Sequence, residues 1–271
     1  MKDFKDKIII ITGASSGIGK ALADELLKAG AKVAVCARNE KKLLQAFEAK
    51  NQQQVFLKAV DVSDELACQE FVHAVLEKWG RIDGLINNAG MSMRALFQDV
   101  ETQVLRQLMD INFWGSVYMT KYALASILEN KGFIVGNSSV AGFRALPART
   151  GYSASKFALN GFLESLRTEL LHTGVHVMIA SPGFTASNIR NTSLTADGTA
   201  QSETPLDESK LMPAETCAQK ILKGIRQGKR TVVITRQAWL TLFLSKFFPK
   251  WMDSIVYNFF KKEQDSPLSK A

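Results

Sequence analysis

Tyr152 and Lys156 are separated by four positions in the stretch Tyr-Ser-Ala-Ser-Lys. Side chains four positions apart lie on the same face of a helix, so we expect the phenol and the ammonium group to lie close together. A phenol has an ordinary pKa of about 10 and is a poor base at neutral pH, but a neighbouring cation favours its phenolate form. The pair is therefore a candidate for proton transfer with a substrate oxygen.

A hydroxyl group for the same site lies thirteen residues upstream, at Ser139. Ser139 follows an apolar segment that predicts a strand, and a loop there can bring its hydroxyl back towards Tyr152. Ser138 is the alternative for this role. Two hydroxyl groups would stabilise negative charge that develops on a substrate oxygen, and one of them would supply the proton.

A glycine-rich turn follows the first predicted strand and leads directly into a helical pattern. Glycines at this point allow the backbone to approach a pyrophosphate group, which the amides and dipole of a helix N-terminus attract. A tight turn without a ligand is the alternative, but the strand-turn-helix context favours binding. The predicted contact residues are Gly13, Ser15, Ser16, Gly17, Ile18 and Gly19.

The end of the second predicted strand indicates which dinucleotide is preferred. An NAD-binding site usually has an acidic residue at this point, but here Ala37 is followed by Arg38. A guanidinium group pairs with a 2′-phosphate, and no carboxylate is present to repel it. Although Arg38 alone is also compatible with a solvated loop cation, the missing acid independently favours NADP(H).

These groups need a scaffold, and the apolar pattern predicts one. Short β-branched runs alternate with segments of helical period, which is typical of a parallel sheet covered on both faces. We expect a Rossmann-type, doubly wound, seven-stranded α/β domain over residues 1–236 and an aromatic-rich extension over 237–271. The predicted strands are 8–12, 33–37, 55–60, 84–87, 133–137, 175–180 and 231–235, and the predicted helices are 18–29, 40–50, 64–78, 102–129, 154–171 and 214–227.

These motifs resemble those of the short-chain dehydrogenase/reductase family, and they occur in the family's order over residues 7–235. Any one of them is a weak signal, but chance agreement of the complete series is very improbable. The matching elements are the turn Thr-Gly-Ala-Ser-Ser-Gly-Ile-Gly at 12–19, Asn-Asn-Ala-Gly at 87–90, Asn112, Ser139, Tyr-Ser-Ala-Ser-Lys at 152–156, and Pro182-Gly183.

The resemblance implies a catalytic role for four residues. Tyr152 would be the acid/base, Lys156 its modulator, Ser139 the hydroxyl that polarises the carbonyl, and Asn112 the residue that holds a proton-relay water. The implied activity is hydride transfer between NADP(H) and a fairly apolar ketone, aldehyde, steroid-like or acyl compound. The alternative is a catalytically silent protein of the same fold that senses NADP(H) or docks on a membrane or partner. Neither alternative requires a metal.

The resemblance also implies further cofactor contacts. Asn87 to Gly90 would support the adenosine ribose and the central sheet, with Asn88, Ala89 and Gly90 at the cofactor. Asp61 and Val62 would flank the adenine, and Tyr152 and Lys156 would contact the cofactor as well. The turn at Pro182 and Gly183 departs from the family pattern after its second residue, so either Thr185 or Ser187 would contact the carboxamide.

The substrate side is less defined. By resemblance, the substrate would lie near 92–94, 143–149 and the loop 188–212, which lacks a clear period and is long for a compact domain. Arg94, Arg144 and Arg149 are candidates for holding an anionic substrate, although each taken singly is more typical of a structural or solvated cation. Apolar contacts are predicted from Met91, Met93, Phe143 and Leu146.

The C-terminal extension combines aromatic side chains with positive charge. Residues 216–252 contain eight cations and no carboxylate, which equals the net charge of +8 of the whole chain. Eight of the 24 aromatic residues lie within 239–260. This segment is too short and interrupted to span a bilayer, but it suits an anionic membrane surface. Packing on the substrate cleft or on a partner subunit is the alternative.

Composition limits the remaining partners and the compartment. No recognition motif accompanies the basic stretch, so nucleic-acid binding is not expected. Cys36, Cys68 and Cys217 are odd in number and unpaired in spacing, as in a reduced cytoplasmic protein, and the first residues lack a secretory pattern. Peripheral membrane association would be compatible with this location. The family resemblance implies a homodimer or homotetramer.

Overall fold

The computed structural model describes residues 3–201, 204 and 211–269. Part of the predicted substrate loop, 202–203 and 205–210, lies outside the described residues. Within the described residues, seven parallel strands form one sheet in the order β3-β2-β1-β4-β5-β6-β7. The strands are β1 (Ile8–Thr12), β2 (Lys32–Ala37), β3 (Val55–Ala59), β4 (Gly84–Asn87), β5 (Phe133–Asn137), β6 (His176–Ser181) and β7 (Thr231–Val233).

The sheet is buried on both faces, which explains its apolar strands. Ile8 and Ile10 of β1 belong to one core cluster, and Ile9 and Ile11 belong to the other. Successive side chains of a strand point to opposite faces, so a continuous apolar run is expected where both faces are covered. The predicted seven-stranded, doubly wound sheet is confirmed.

Helices cover the two faces of the sheet in separate groups. Side chains of α3, α4, α5 and α6 pack in one core cluster, and those of α1, α2 and α7 pack in the other. The helices are α1 (Gly17–Lys28), α2 (Glu40–Phe47), α3 (Glu65–Trp79), α4 (Thr102–Met109), α5 (Gly115–Glu129), α6 (Thr150–Glu169), α7 (Ala214–Arg226), α8 (Arg236–Phe247) and α9 (Pro249–Lys261).

The segment predicted as one helix over 102–129 contains an irregularity. A π-helical turn, Asp110–Trp114, separates α4 from α5. Such a turn inserts one extra residue and is frequent at functional sites. Periodicity alone does not reveal it, because the apolar pattern continues on both sides. The turn contains Asn112.

The cysteines are free and buried, as their spacing predicted. Burial raises the pKa of Cys68 and of Cys217 to about 12. A thiol whose thiolate is this unfavourable is unreactive, so these side chains act in packing.

The C-terminal helices α8 and α9 follow β7 and pack against each other. Met252, Val256 and Phe260 of α9 form a small buried cluster with Leu268. None of the helices in the described parts of the chain has the length and continuous apolar character needed to cross a bilayer.

Candidate active site

The glycine-rich turn follows β1, beside the point between β1 and β4 where the strand order of the sheet reverses. Gly13 and Gly17 both adopt positive φ, at 66° and 56°, which glycine tolerates without steric cost. A Cβ atom on Gly13 would lie 2.7 Å from the Cα of Ala89, so the backbones are in close contact. Ser16 precedes α1 without capping it through its side chain, so this side chain does not occupy the first amides of the helix.

Asn88 connects this turn to the next strand. Its Nδ2 donates to the carbonyl oxygens of Thr12, at 2.9 Å, and of Gly13, at 3.1 Å. The Oγ1 of Thr12 accepts in return from the backbone amides of Asn88, at 3.0 Å, and Ala89, at 2.9 Å. The Asn-Asn-Ala-Gly stretch therefore holds the glycine-rich turn in place.

The same bonded series continues to Lys156. Asn137, the last residue of β5, donates its Nδ2 to the Oδ1 of Asn88 at 2.7 Å. The Nζ of Lys156 donates to the backbone carbonyl of Asn137 at 2.9 Å. Hydrogen bonds thus run from the glycine-rich turn to α6, and they fix Lys156 relative to the predicted cofactor site.

Lys156 is 3% exposed and no carboxylate lies among its hydrogen-bond partners in the described residues. Burial lowers its pKa to about 8. Its Nζ lies 5.8 Å from the ring centroid of Tyr152. A Cβ atom on Gly90 would lie 3.4 Å from this Nζ, so glycine leaves the ammonium open to the cleft.

Asn112 fixes the start of α6 from the π-helical turn. Its side chain is fully buried and clasps the backbone of Met91, accepting from the amide at 2.8 Å and donating to the carbonyl at 2.9 Å. The Nδ2 also donates to Ser155 at 2.8 Å, and the Oγ of Ser155 donates to the carbonyl of Tyr152 at 2.8 Å. Asn112 is therefore linked to the backbone of Tyr152 by two hydrogen bonds through the Ser155 hydroxyl.

Ser139 and Tyr152 face each other in the cleft. Ser139 caps a short 3₁₀ turn, Val140–Gly142, and its Oγ accepts from the Ala141 amide at 3.2 Å. Ser138 also borders the cleft, but its Oγ lies near Gly142. The Ser139 hydroxyl lies close enough to the phenol of Tyr152 to act on its pKa. Of the two serines, Ser139 is therefore the one whose hydroxyl interacts with the phenol.

The pKa of Tyr152 is raised, and the largest cause is its burial. The Ser139 hydroxyl and the charges of Arg149 and Arg190 oppose this shift. Lys156, which was expected to lower the pKa of Tyr152, is not among these groups; its ammonium group is buried and donates to the carbonyl of Asn137. The phenol is consequently neutral at neutral pH and is ready to donate a proton.

The remaining predicted cofactor residues lie at the carboxyl ends of the strands. Arg38 is exposed directly after β2, whose Cys36 carbonyl accepts from the Ala14 amide at 3.2 Å. Asp61 follows β3 and accepts from the Ser63 amide at 3.0 Å. Val62 is 5% exposed and packs against the Cα of Gly115. These positions lie along the edge that ends in the glycine-rich turn.

The turn after β6 brings two hydroxyl groups to the cleft. Pro182, Gly183, Thr185 and Ser187 all line it. Thr185 is buried, and its Oγ1 donates to the carbonyl of Gly183 at 3.3 Å. Ser187 lies closer to the glycine-rich turn, since a Cβ atom on Gly17 would lie 3.3 Å from the Ser187 Cβ.

Apolar side chains from distant parts of the chain form the wall opposite the hydroxyl groups. Leu146 and Phe184 contribute from loops, and the C-terminal helix α9 contributes five apolar side chains, namely Met252, Ile255, Val256, Phe259 and Phe260. The predicted apolar contact of Leu146 is thus present. Met91 and Met93 are instead buried in a core cluster, and Phe143 is half-buried and packs against that cluster.

The predicted anion-binding arginines are paired within the protein. Arg94 and Arg149 both contact Glu263, at 3.4 Å and 2.8 Å, and the Glu263 side chain is 3% exposed. Arg149 also lies 4.5 Å from the ring centroid of Phe260. Arg144 pairs with Asp253 at 2.5 Å, where the carboxylate is exposed. These arginines hold the C-terminal segment over the cleft.

Comparison with known proteins agrees with this arrangement. Residues 7–197 match the family model described as short chain dehydrogenase. The chain belongs to the short-chain dehydrogenase/reductase family. It is 35% identical over 258 residues to human "Dehydrogenase/reductase SDR family member 7", covering 92% of this chain and 76% of that protein. It is 37% identical over 245 residues to "11-beta-hydroxysteroid dehydrogenase-like 2" of Arabidopsis thaliana, covering 89% and 77%.

Solved structures show that this short-chain dehydrogenase/reductase shares the fold of other members. A Burkholderia phymatum member in complex with NAD superposes with a TM-score of 0.82 at 22% identity, covering 93% of this chain and 96% of that one. A Streptomyces avermitilis short-chain dehydrogenase gives 0.78 at 25% identity, covering 93% and 94%. The chain is thus a member of a family of oxidoreductases.

Several residues of this short-chain dehydrogenase/reductase site were not predicted from the sequence motifs. Asn137 and Ser155 carry the hydrogen bonds that fix Lys156 and Tyr152. Asn137 could have been predicted, because a polar asparagine at the end of a buried strand is unusual. Glu263 carried no signal, because its partners are more than one hundred residues away in sequence.

Proposed function

We propose that this protein is an NADP(H)-dependent oxidoreductase that transfers hydride between the cofactor and the carbonyl or alcohol group of a fairly apolar substrate. The observation that carries the proposal is the meeting of Ser139, Tyr152 and Lys156 in one cleft beside a glycine-rich turn. A protein that had lost catalysis would not need to retain a buried ammonium group at the cost of its desolvation. The proposal therefore favours an enzyme over a silent sensor.

The residues present fit a dinucleotide. Gly13 and Gly19 leave no room for a Cβ atom, and Gly17 opens the N-terminus of α1 to a pyrophosphate. Ser15, Ser16 and Ile18 complete this turn, and Asn88, Ala89 and Gly90 lie beside it. Ser187 is the better candidate for a cofactor hydroxyl contact than Thr185, whose hydroxyl donates within its own loop.

The preference for NADP(H) is inferred from the end of β2. Arg38 is exposed at the position where an acidic residue would select NAD(H). Its guanidinium group would pair with the 2′-phosphate, while Asp61 and Val62 would flank the adenine. The bound cofactor would supply or accept the hydride.

The chain's own residues would manage the proton and the charge on oxygen. The Ser139 hydroxyl would donate to the carbonyl oxygen, and Tyr152, neutral because of its raised pKa, would transfer its proton there. Lys156 would stabilise the resulting phenolate and bind the ribose. Asn112 holds the Tyr152 backbone through Ser155 and would also place a proton-relay water. Oxidation would reverse these steps.

An apolar ketone, aldehyde, steroid-like or acyl compound suits the wall of the cleft. Leu146, Phe184, Met252 and Val256 offer apolar contacts, and the nearby arginines are occupied by carboxylates. Relatives named as 11-beta-hydroxysteroid dehydrogenases support a steroid-like compound. We therefore place such compounds first among substrates to test.

The deciding experiment measures NADPH consumption with a panel of carbonyl compounds that includes ketosteroids, medium-chain aldehydes and acyl ketones. We expect turnover with apolar members, and slower turnover with NADH. Absence of turnover across the panel in both directions, with tight NADPH binding retained, would favour the silent alternative.

Cofactor choice is tested separately at Arg38. Arg38→Ala should raise the KM for NADPH by on the order of tenfold, because a charge-assisted hydrogen bond is lost, and should leave the KM for NADH unchanged. The matched control is Lys223→Ala, an exposed cation on α7. An equal effect of Arg38→Ala on both cofactors would contradict the assignment.

We also propose a homo-oligomer that pairs α5 and α6 between subunits. Trp114, Phe157 and Tyr118 lie on this side of the molecule; Trp114 is 42% exposed and Phe157 is 46% exposed. An exposed apolar patch of this kind is typical of a subunit contact. Sedimentation of the wild type and of Phe157→Lys should show a dimer or tetramer that dissociates in the variant.

A further inference from the structure

A row of aromatic side chains lies on the outer side of α8. Trp239, Phe243 and Phe247 follow at intervals of four, so they share one face of the helix. Their rings are in contact, with centroids 5.3 Å apart for the first pair and 5.1 Å for the second. These side chains are 57%, 47% and 58% exposed, and Phe248 after α8 and Trp251 at the start of α9 are 56% exposed each. We call these five residues the aromatic face.

The opposite side of α8 is also apolar and faces the protein. Ala238 is buried there, and Leu244 packs against the buried cluster of α9. An exposed row of large apolar side chains is typical of a surface that contacts a partner or a membrane. The inner side of α8 packs against other residues of this chain, whereas the aromatic face is exposed to solvent. This difference indicates a partner for the aromatic face.

The charges beside the aromatic face have one sign. Arg236 and Lys246 lie on the same exposed side of α8, and Lys250 lies at the start of α9. No acidic residue occurs between Thr216 and Met252. Asp253, the next acidic residue, pairs with Arg144. The surface is therefore apolar at its centre and cationic at its margin.

We propose that the aromatic face docks on an anionic membrane surface, with α8 lying in the plane of the interface. Aromatic rings suit the boundary between headgroups and acyl chains, and cations at the margin pair with anionic headgroups. A second copy of this chain suits the surface less well. A two-fold contact would bring the same lysines together across the interface without carboxylates to pair them.

The first experiment measures binding of the full chain to vesicles by flotation. We expect strong binding to phosphatidylcholine vesicles that contain about 30% phosphatidylserine. Binding to vesicles of phosphatidylcholine alone should be weak. Binding should decrease when salt is raised, because charges at a surface are screened. Equal binding to both vesicle types, or no binding to either, would overturn the proposal.

Two variants separate the charged and apolar contributions. Lys246→Gln combined with Lys250→Gln should weaken binding by about fivefold for each cation, which corresponds to about 1 kcal/mol each. Trp239→Ser, Phe243→Ser and Phe247→Ser combined should abolish detectable binding. The matched controls are Lys121→Gln with Lys223→Gln, and Leu44→Ser, Leu66→Ser and Leu171→Ser combined, which change exposed residues elsewhere. Wild-type binding by either test variant would contradict the proposal.

Tryptophan fluorescence provides a second test, which does not require the triple variant to fold. Brominated lipid acyl chains should quench tryptophan fluorescence of the wild type. Trp239→Phe with Trp251→Phe should remove most of the quenching, while Trp79 and Trp114 remain and lie elsewhere on the fold. Quenching that persists in this variant would place the contact on another surface.

The role of a second copy is tested by sedimentation without lipid. Self-association that the triple serine variant abolishes, together with no vesicle binding by the wild type, would assign the aromatic face to a subunit contact. None of these measurements depends on NADPH turnover. Failure of the membrane proposal is therefore distinguishable from failure of the proposed activity.

Discussion

The two sides of the cleft are held together in different ways. On one side, Asn112 donates to the backbone carbonyl of Met91 and Lys156 donates to that of Asn137. These side chains are almost fully buried, and their bonds are to neutral groups. On the other side, α9 and the turn that follows it are held by apolar contacts and by Glu263, which pairs with Arg94 and Arg149. The first side contains the proposed proton chemistry, and the second contains the proposed substrate wall.

The difference suggests how one scaffold keeps its chemistry while its substrate changes. The hydrogen-bonded side involves the sheet and α6, so a change there disturbs the core. The C-terminal side is attached through a few long side chains, so we expect changes there to disturb the position of Tyr152 less than changes on the hydrogen-bonded side. We expect substitutions on the two sides to have separate effects on kcat, KM and stability.

The largest effect is expected on the hydrogen-bonded side, from Tyr152→Phe. Loss of the proton donor should lower kcat about a thousandfold or more, whereas the KM for NADPH should change little. Tyr122→Phe, which removes an exposed hydroxyl bonded to Glu65, is the matched control. Stopped-flow measurement of NADPH oxidation checks the prediction. Retention of a tenth of the wild-type rate would assign the proton to another group.

On the C-terminal side, the larger effect is expected from Glu263→Gln. The change leaves Arg94 and Arg149, whose side chains are 8% and 13% exposed, without a carboxylate partner. Removal of one member of a buried pair costs about 3 kcal/mol, which we expect to appear as local opening of α9. The KM for the carbonyl substrate should rise about a hundredfold while NADPH binding is retained.

The exposed ion pair provides the control for Glu263. Asp253→Asn removes the partner of Arg144, but this carboxylate is 66% exposed, so the cost should stay below about 1 kcal/mol. Amide hydrogen exchange along α9 should increase in Glu263→Gln and remain unchanged in Asp253→Asn. Equal exchange in both variants would show that the buried pair does not hold the C-terminal side.

Lys156→Met is expected to stabilise the fold, whereas Glu263→Gln is expected to destabilise it. The folded pKa of Lys156 is lowered to about 8, against an ordinary value of 10.5, so burial of the charged form destabilises the fold below pH 8. This cost decreases as pH rises from 8 to 10.5. The variant without cofactor should therefore be more stable at pH 7 by about 2 kcal/mol, after allowance for the lost bond to Asn137.

Thermal unfolding at pH 7 and near pH 10.5 checks this prediction. The stability gain of Lys156→Met should be present at the lower pH and absent at the higher one, while turnover is lost at both. Lys121→Met, on the exposed side of α5, should show no such pH dependence. A gain that persists at high pH would indicate an apolar packing effect instead of charge burial.

The sequence predicted the sheet well for physical reasons. Continuous apolar runs and glycine turns are local signals, so the strands follow from nearby residues. Four-residue spacing places Tyr152 and Lys156 on one face of α6, but it does not reveal the bonds of Asn137 and Ser155 that hold them. The π-helical turn around Asn112 was missed because it leaves the apolar pattern unchanged. The buried contact of Glu263 was missed because residues far apart in sequence create it. The predicted assignment of Arg38 to a 2′-phosphate stays a prediction.

The smallest effect is expected at Val256, which is 7% exposed and borders the cleft from α9. Val256→Ala removes two methyl groups, which amounts to about 1 kcal/mol of apolar contact, so the KM for a compact apolar ketone should rise several-fold. The KM for a bulkier ketone should fall, because the substitution makes room for it in the cleft. Because Tyr152 is held from the other side of the cleft, kcat and the KM for NADPH should remain unchanged. Tyr257→Ala, on the exposed side of the same helix, should alter neither ketone. A fall in kcat for both ketones would mean that the two sides of the cleft are coupled, and that the C-terminal side also positions the proton donor.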